Sequence, residues 1–255
     1  MNSTARNYID IILVLIQKDL KVRYKNTLLG YLWSVGHPLA FAMAFYIAFR
    51  IVVRIQVEDY VLFLISGLFP WQWFSSSLSA APMTFLSNTS IIKKVNFPRE
   101  LLPTTMVLQD MIHFIFSIPV IVLFLVLYGK SPSPSWLYGI PALLVIQFLM
   151  TCGFCFIIAS TNLFFRDLER LTSIAVTLLF YFTPIFYPES MVPDKLKPLL
   201  TLNPLAHLMI NWRNMFLTGR IDPVFLGISF VYALAAFAIG YTVYKKLSWR
   251  FAEVL

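Results

Sequence analysis

Asp110 and His113 are titratable residues inside a long apolar stretch of this 255-residue chain, three positions apart and so on one face of a helix. An acid and an imidazole so placed could relay protons, and an intramembrane carboxyl is a functional candidate by default. The pair also lies close enough to the start of its apolar run to reach interfacial water, which leaves a plain structural role open. Cys152-Gly153-Phe154-Cys155 has the spacing of a redox pair, but it sits in an apolar run without water or a thioredoxin-like context, so small packing residues are expected. Gly129-Lys130-Ser131 imitates the end of a phosphate-binding loop. Its first glycine would fall at Phe124, so no ATP chemistry follows from it. His37 and His207 have no acid or cysteine at ligand spacing, so no metal site is expected. No set of residues converges as a catalytic apparatus would, and no catalytic residue is assigned.

The elements that carry these residues are apolar. Hydrophobic residues make up 59% of the chain, charged residues only 13%, and the mean hydropathy is +0.76. Such a composition belongs to the membrane class. Without water to satisfy the backbone, the chain must be a helix bundle or a closed barrel. Its apolar runs are unbroken and close to the ~20 residues a helix needs to cross a bilayer, which excludes the short alternating segments of a barrel. The fold class is therefore all-α, a polytopic membrane protein with six spans at about 32–53, 61–86, 104–128, 136–165, 171–187 and 224–244. Kinks are expected at Pro70, Pro82 and Pro119.

Charge orients the bundle. Of the 20 lysines and arginines, thirteen fall on the side of the termini: Arg6, Lys18, Lys21, Arg23, Lys25, Lys93, Lys94, Arg99, Arg166, Arg170, Lys245, Lys246 and Arg250. The positive-inside rule places both termini in the cytoplasm, and the net charge of +8 reflects topology and not nucleic-acid binding. Residues 1–31 divide from the six-span domain 32–255 as a separate element. Ile9, Ile12, Leu13, Ile16 and Leu20 recur at helical spacing with Lys18, Lys21 and Lys25 on another face, the pattern of an amphipathic helix in the membrane interface. Asp10 within its apolar stretch argues against a cleavable leader. Between spans five and six, Pro188–Pro223 is apolar but interrupted by Pro198 and Pro204. Short re-entrant helices are expected there, with Arg213 and Arg220 snorkelling to the interface.

Four segments, in order, resemble the membrane subunits of bacterial ABC exporters for surface polysaccharides: Arg23-Tyr24-Lys25-Asn26-Thr27-Leu28-Leu29-Gly30-Tyr31-Leu32-Trp33 with His37-Pro38-Leu39, Lys94-Val95-Asn96-Phe97-Pro98-Arg99-Glu100, Asn162-Leu163-Phe164-Phe165-Arg166-Asp167, and Asn203-Pro204. The resemblance covers essentially the whole chain. It implies an inner-membrane homodimer with two cytoplasmic ATPase subunits that bind the ATP and Mg, leaving no cofactor in this chain. The cargo would be O-antigen, teichoic acid or capsular glycan, often carried on a polyprenyl diphosphate lipid. A proton-coupled carrier or a drug or lipid exporter using Asp110 and His113 stays as the alternative.

Given that family, three groups of residues acquire expected roles. Ile91, Ile92, Lys94, Val95, Phe97 and Arg99, with Lys93, would form the loop received by the ATPase. Lys21, Arg23 and Lys25 would meet the diphosphate headgroup or gate its entry. Phe41, Phe45 and Phe49 at i, i+4 and i+8 of span one make an aromatic stripe, and Ser173, Thr177 and Tyr181 make a mildly polar one on span five with Phe182 beside it. Together these stripes would line a sugar conduit between spans one and five.

Overall fold

A computed structural model describes residues 10–18 and 33–251 except 55 and 96. The described residues fold as helices and connections, with no strand among them, as the apolar runs require. Residues 10–18 form α1. Helix α2 (Trp33–Phe45) passes directly into a π-helix, Tyr46–Val52. Helix α3 (Tyr60–Ala80) tightens into a 3-10 turn at Ala81–Met83 and continues as α4 (Thr84–Ser87) and α5 (Thr89–Lys94). Then come α6 (Leu101–Leu127), α7 (Trp136–Asn162), α8 (Leu168–Phe182), α9 (Lys197–Leu202), α10 (Ala206–Thr218) and α11 (Pro223–Ser248).

Four helical stretches are long and apolar enough to cross a bilayer: Tyr60–Ser87, Leu101–Leu127, Trp136–Asn162 and Pro223–Ser248. At 1.5 Å per residue each is about 40 Å long, more than the ~30 Å hydrocarbon thickness. Pro70 and Pro119 lie inside continuous helices and end neither of them, whereas Pro82 coincides with the 3-10 turn. The fifth apolar run is shorter than its hydropathy implies. Helix α8 stops at Phe182 and not near Tyr187, because Pro184 drives Thr183 out of the helical region into extended backbone, φ −99° and ψ 133°.

Side-chain bonds tie the helices at both ends. At one end Lys18 Nζ donates to Asn88 Oδ1 (2.8 Å), Asn162 Nδ2 to the Pro82 carbonyl (2.8 Å) and Tyr244 Oη to Glu100 Oε2 (2.8 Å). At the other, Lys130 pairs with Asp59 (2.6 Å), Ser135 Oγ donates to the Gly219 carbonyl (2.6 Å) and Trp136 Nε1 to the Met215 carbonyl (2.8 Å).

The tightest packing joins α7 to α11. Gly153, Ala236 and Gly240 let the two backbones touch: a Cβ at Gly240 would lie inside the Gly153 carbonyl, and one at Gly153 would collide with the Ala236 backbone. Small residues at such a crossing supply the close van der Waals contact that holds helices together where lipid removes the hydrophobic drive. Cys152 and Cys155 are buried in the same helix as free thiols, matching the packing role expected of them.

Helix α10 is inserted against α3, α7 and α11, and nearly every residue from Ala206 to Phe216 is buried. Gln147 on α7 secures it. Its amide donates to the Pro70 carbonyl (2.7 Å), and its oxygen accepts from Trp212 Nε1 (2.6 Å), so both polar ends of a fully buried side chain are satisfied. Trp212 also stacks on Phe216 and meets Phe114 edge-on. Arg213 does not snorkel to the interface as its sequence context suggests. It is 5% exposed, because α10 turns this face into the bundle.

Candidate translocation surface and coupling loop

The outer half of α2, its π-helical continuation and the end of α8 meet through aromatic rings. Phe45 stacks on Phe49 (centroids 5.7 Å apart), and both stack on Phe186, Phe49 at 4.9 Å. Phe180 joins Phe45 at 5.5 Å, Phe186 at 5.6 Å and Trp71 of α3 at 5.6 Å. The structure thus joins the aromatic residues of α2 and its continuation to this end of α8 through Phe180 and Phe186, with Tyr181 meeting Phe186 at 6.1 Å, while Ser173 and Thr177 stand exposed. Phe180 stands at the Ser173 edge of the expected stripe on α8, seven residues and so about two turns on from Ser173, and not in line with Tyr181. Its signal was available in the run Phe180-Tyr181-Phe182, whose three consecutive aromatics must point different ways.

Ser173, Thr177, Tyr181 and Phe182 are all exposed on α8, as is Phe41 on α2, while Phe45 and Phe49 are half-buried. Within α8 only Thr172 is buried, so most of this helix is exposed in the single chain. Thr177 Oγ1 donates to the Ser173 carbonyl one turn earlier (2.9 Å). A hydroxyl satisfied by its own helix loses little against hydrocarbon, so its presence alone does not imply a polar channel.

Beyond Phe182 the backbone has no helical partners, and distant side chains satisfy it. Asn203 Nδ2 donates to the Phe182 carbonyl (3.2 Å) and to Thr183 Oγ1 (2.9 Å). Arg213 Nη2 donates to the carbonyls of Pro184 (2.6 Å) and Ile185 (2.8 Å), and Tyr60 Oη to that of Phe186 (2.8 Å). Tyr187 Oη covers the Tyr181 carbonyl (3.1 Å). A helix end leaves such carbonyls orphaned, and in a bilayer protein donors must replace water. Near this segment a cavity of about 450 Å³ opens between α9, α10 and α11, lined by Glu189, Thr201, His207 and Phe225 among others.

At the opposite end, the loop expected to meet an ATPase divides into two faces. Lys93, Lys94 and Val95 are exposed, whereas Ile91 and Ile92 are half-buried against the core. Phe97 is buried in the core, and Arg99 Nη1 donates to the Ser248 carbonyl of α11 (3.3 Å). Phe97 and Arg99 therefore make internal contacts, and the surface offered outward is two lysines and a valine. The headgroup candidates Lys21, Arg23 and Lys25 lie outside the described residues.

Asp110 does not reach interfacial water. It is 6% exposed, nine residues into α6, where Ser77 Oγ of α3 donates to its Oδ2 (2.8 Å); His113 is half-buried. This is a packed acid held by a neighbouring helix. Among the described residues no cluster of His, Cys, Asp and Glu could hold a metal.

Comparisons with known proteins agree with this architecture over most of its length. The model of the ABC-2 type transporter family matches residues 11–217. The O-antigen export system permease protein RfbA of Klebsiella pneumoniae is 46% identical over 96% of this chain and 95% of its own. A protein of that name from Myxococcus xanthus is 31% identical over 84% of this chain and 83% of its own. The polysialic acid transport protein KpsM of Escherichia coli is 21% identical, covering 91% of each. With its apolar helices and a family model spanning most of the chain, this multi-pass membrane protein belongs to the ABC-2 type transporter family.

Proposed function

We propose that this chain is the membrane-spanning subunit of an ATP-driven exporter for lipid-linked, O-antigen-like surface polysaccharide. The observation that carries the proposal is near-full-length similarity to O-antigen export permeases. The subunit works as a homodimer in the inner membrane with two cytoplasmic ATP-binding subunits, which hold ATP and Mg.

Six crossings complete the topology: the four long helices, α2 with its π-helical end, and α8. Helix α8 spans only about 22 Å. Thr183–Tyr187 finishes its crossing as non-helical backbone, which a bilayer permits only where protein satisfies the carbonyls. Helices α9 and α10 enter from the outer side as re-entrant elements. Both termini then lie in the cytoplasm, on the side of Lys93, Lys94, Lys245 and Lys246. The chain divides at residue 31 into an interfacial helix and the six-span domain.

In the dimer the exposed faces of α2 and α8 line the conduit. Phe41, Phe45, Phe49, Tyr181 and Phe182 offer rings over which sugar C–H faces slide, and Ser173 and Thr177 offer weak polar contacts that do not trap the polymer. Single cysteines at Phe45 and Tyr181, in a background lacking Cys152 and Cys155, are expected to react with a water-soluble thiol reagent during export and block it. Labelling of both only by lipid-soluble reagents would place these faces against lipid.

Lys21, Arg23 and Lys25 hold the diphosphate of the lipid carrier where the interfacial helix meets span one. Replacing all three with glutamine is expected to stop export while insertion and ATPase association continue. Undiminished export in that variant would leave the lysines and arginine as lipid anchors only.

A further inference from the structure

We infer that Arg213 is a positioning residue through which the outer hairpin, formed by α9 and α10, sets the aromatic seam between α2 and α8. Its guanidinium is buried, and among the described residues it makes no ion pair. Two backbone carbonyls, Pro184 and Ile185, and the face of the Phe63 ring, 3.7 Å from Cζ to the centroid, hold the charge instead. A buried cation without a carboxylate is costly, and a ring face with two carbonyl dipoles offsets that cost only where all three are fixed. Gly67 of α3 makes the space: a Cβ there would come within 3.0 Å of Nη2.

The residues so held lead directly to the seam. Pro184 and Ile185 immediately precede Phe186, whose ring contacts Phe45, Phe49 and Phe180, and whose own carbonyl is held by Tyr60. Arg213 lies on α10, in the outer hairpin, and α10 has no ring in that cluster. The hairpin is therefore joined to the segment before the seam through main-chain carbonyls, with Asn203 adding a bond to the Thr183 hydroxyl. If α10 shifts, the Arg213 bonds carry the shift to the end of α8, and Phe186 moves against Phe45 and Phe49. Both bonds come from one nitrogen, Nη2, so a lysine in place of Arg213 keeps a donor but loses the flat face that lies over Phe63, and holds this pair of carbonyls less well.

The test measures proximity first and transport second. Phe49→Cys and Phe186→Cys are combined in a full-length protein lacking Cys152 and Cys155, and a short bifunctional thiol reagent is applied to membranes. Efficient linking is expected with Arg213 present. Arg213→Met is expected to lower the linked fraction of inserted protein by about ten-fold, because buried carbonyls left without a donor drive the segment to another position. Arg213→Lys should fall between the two. Tyr60→Phe keeps the buried charge and removes only the hydroxyl that holds Phe186, so it tests the same linkage if Arg213→Met does not insert; a smaller loss of linking is expected.

Linking unchanged in Arg213→Met, or in Tyr60→Phe should the former fail to insert, would overturn the inference and leave Arg213 a stability residue. The exporter reading enters only through the second measurement, surface polysaccharide in cells carrying Arg213→Lys. Reduced linking alongside normal export would keep the position of Phe186 under Arg213 but refute its use in transport. Absence of polysaccharide export by the unsubstituted chain would count against the exporter reading and not against the linkage.

Discussion

Leucine at Gly240 should abolish folded protein, and alanine at the same position should remain folded but be destabilised by about 3 kcal/mol. The reason is geometric. The backbone of α11 touches that of α7 at this residue, and an added Cβ meets the Gly153 carbonyl, which cannot rotate away as a side chain would. Alanine forces a local separation of the helices, which forfeits contact along the Ala233, Ala236 and Gly240 face. Leucine demands a separation that the bonds between Tyr244 and Glu100 and between Arg99 and Ser248 do not accommodate. Thermal unfolding of purified protein in detergent measures the effect. Alanine at Gly227, inside the same helix but with open space around its would-be Cβ, should not lower the midpoint and should raise it slightly. Equal midpoints for Gly240→Ala and the unsubstituted protein would refute this account of the α7–α11 contact.

The loop proposed to meet the ATPase offers the second large effect, and it separates two neighbours that sequence alone places together. Lys94→Glu with Val95→Ala alters only exposed groups, so insertion and thermal stability should hold while recovery of the ATP-binding subunit with the permease falls by about ten-fold. Phe97→Ala should do the reverse. Truncating a buried phenylalanine costs about 3 kcal/mol of folding, yet the folded fraction keeps its outward surface and its partner. Normal co-purification by the Lys94 and Val95 variant would remove this loop as the docking surface. A loss of partner in Phe97→Ala without loss of stability would show that Phe97 turns outward when the complex forms.

Much of the architecture was legible because hydropathy over ~20 residues is a strong signal in a bilayer. The long helices begin and end within a few residues of the apolar runs that announce them, Tyr60–Ser87 against 61–86 and Pro223–Ser248 against 224–244. Faces were harder. Phe97 and Val95 differ by two positions and by nothing that composition can read, yet one is in the core and the other is not. Phe45 and Phe49 were found from their spacing, but their partner Phe180 lies at the edge of the expected stripe. The largest departure was Arg213. A charge in an apolar, proline-interrupted loop suggests snorkelling when its neighbours are unknown, and its actual partners are backbone carbonyls, which no residue letter records.

The donors at the end of α8 also bear on how such a surface diversifies. Asn203, Arg213 and Tyr60 bind the main chain of Phe182, Pro184, Ile185 and Phe186 and ignore what those residues carry beyond Cα. An attachment of that kind tolerates replacement of the rings facing the proposed conduit, since the path of the backbone is held elsewhere. Mutational drift at Phe182, whose ring is exposed, would alter which polymer glides well in the proposed conduit without dismantling the frame, whereas the buried ring of Phe186 belongs to the seam. Loss of Asn203 or Arg213 would damage the frame whatever the polymer. The two sets of positions should accordingly evolve at different rates, and the stationary set belongs to the hairpin and α3, outside the proposed sugar-facing surface.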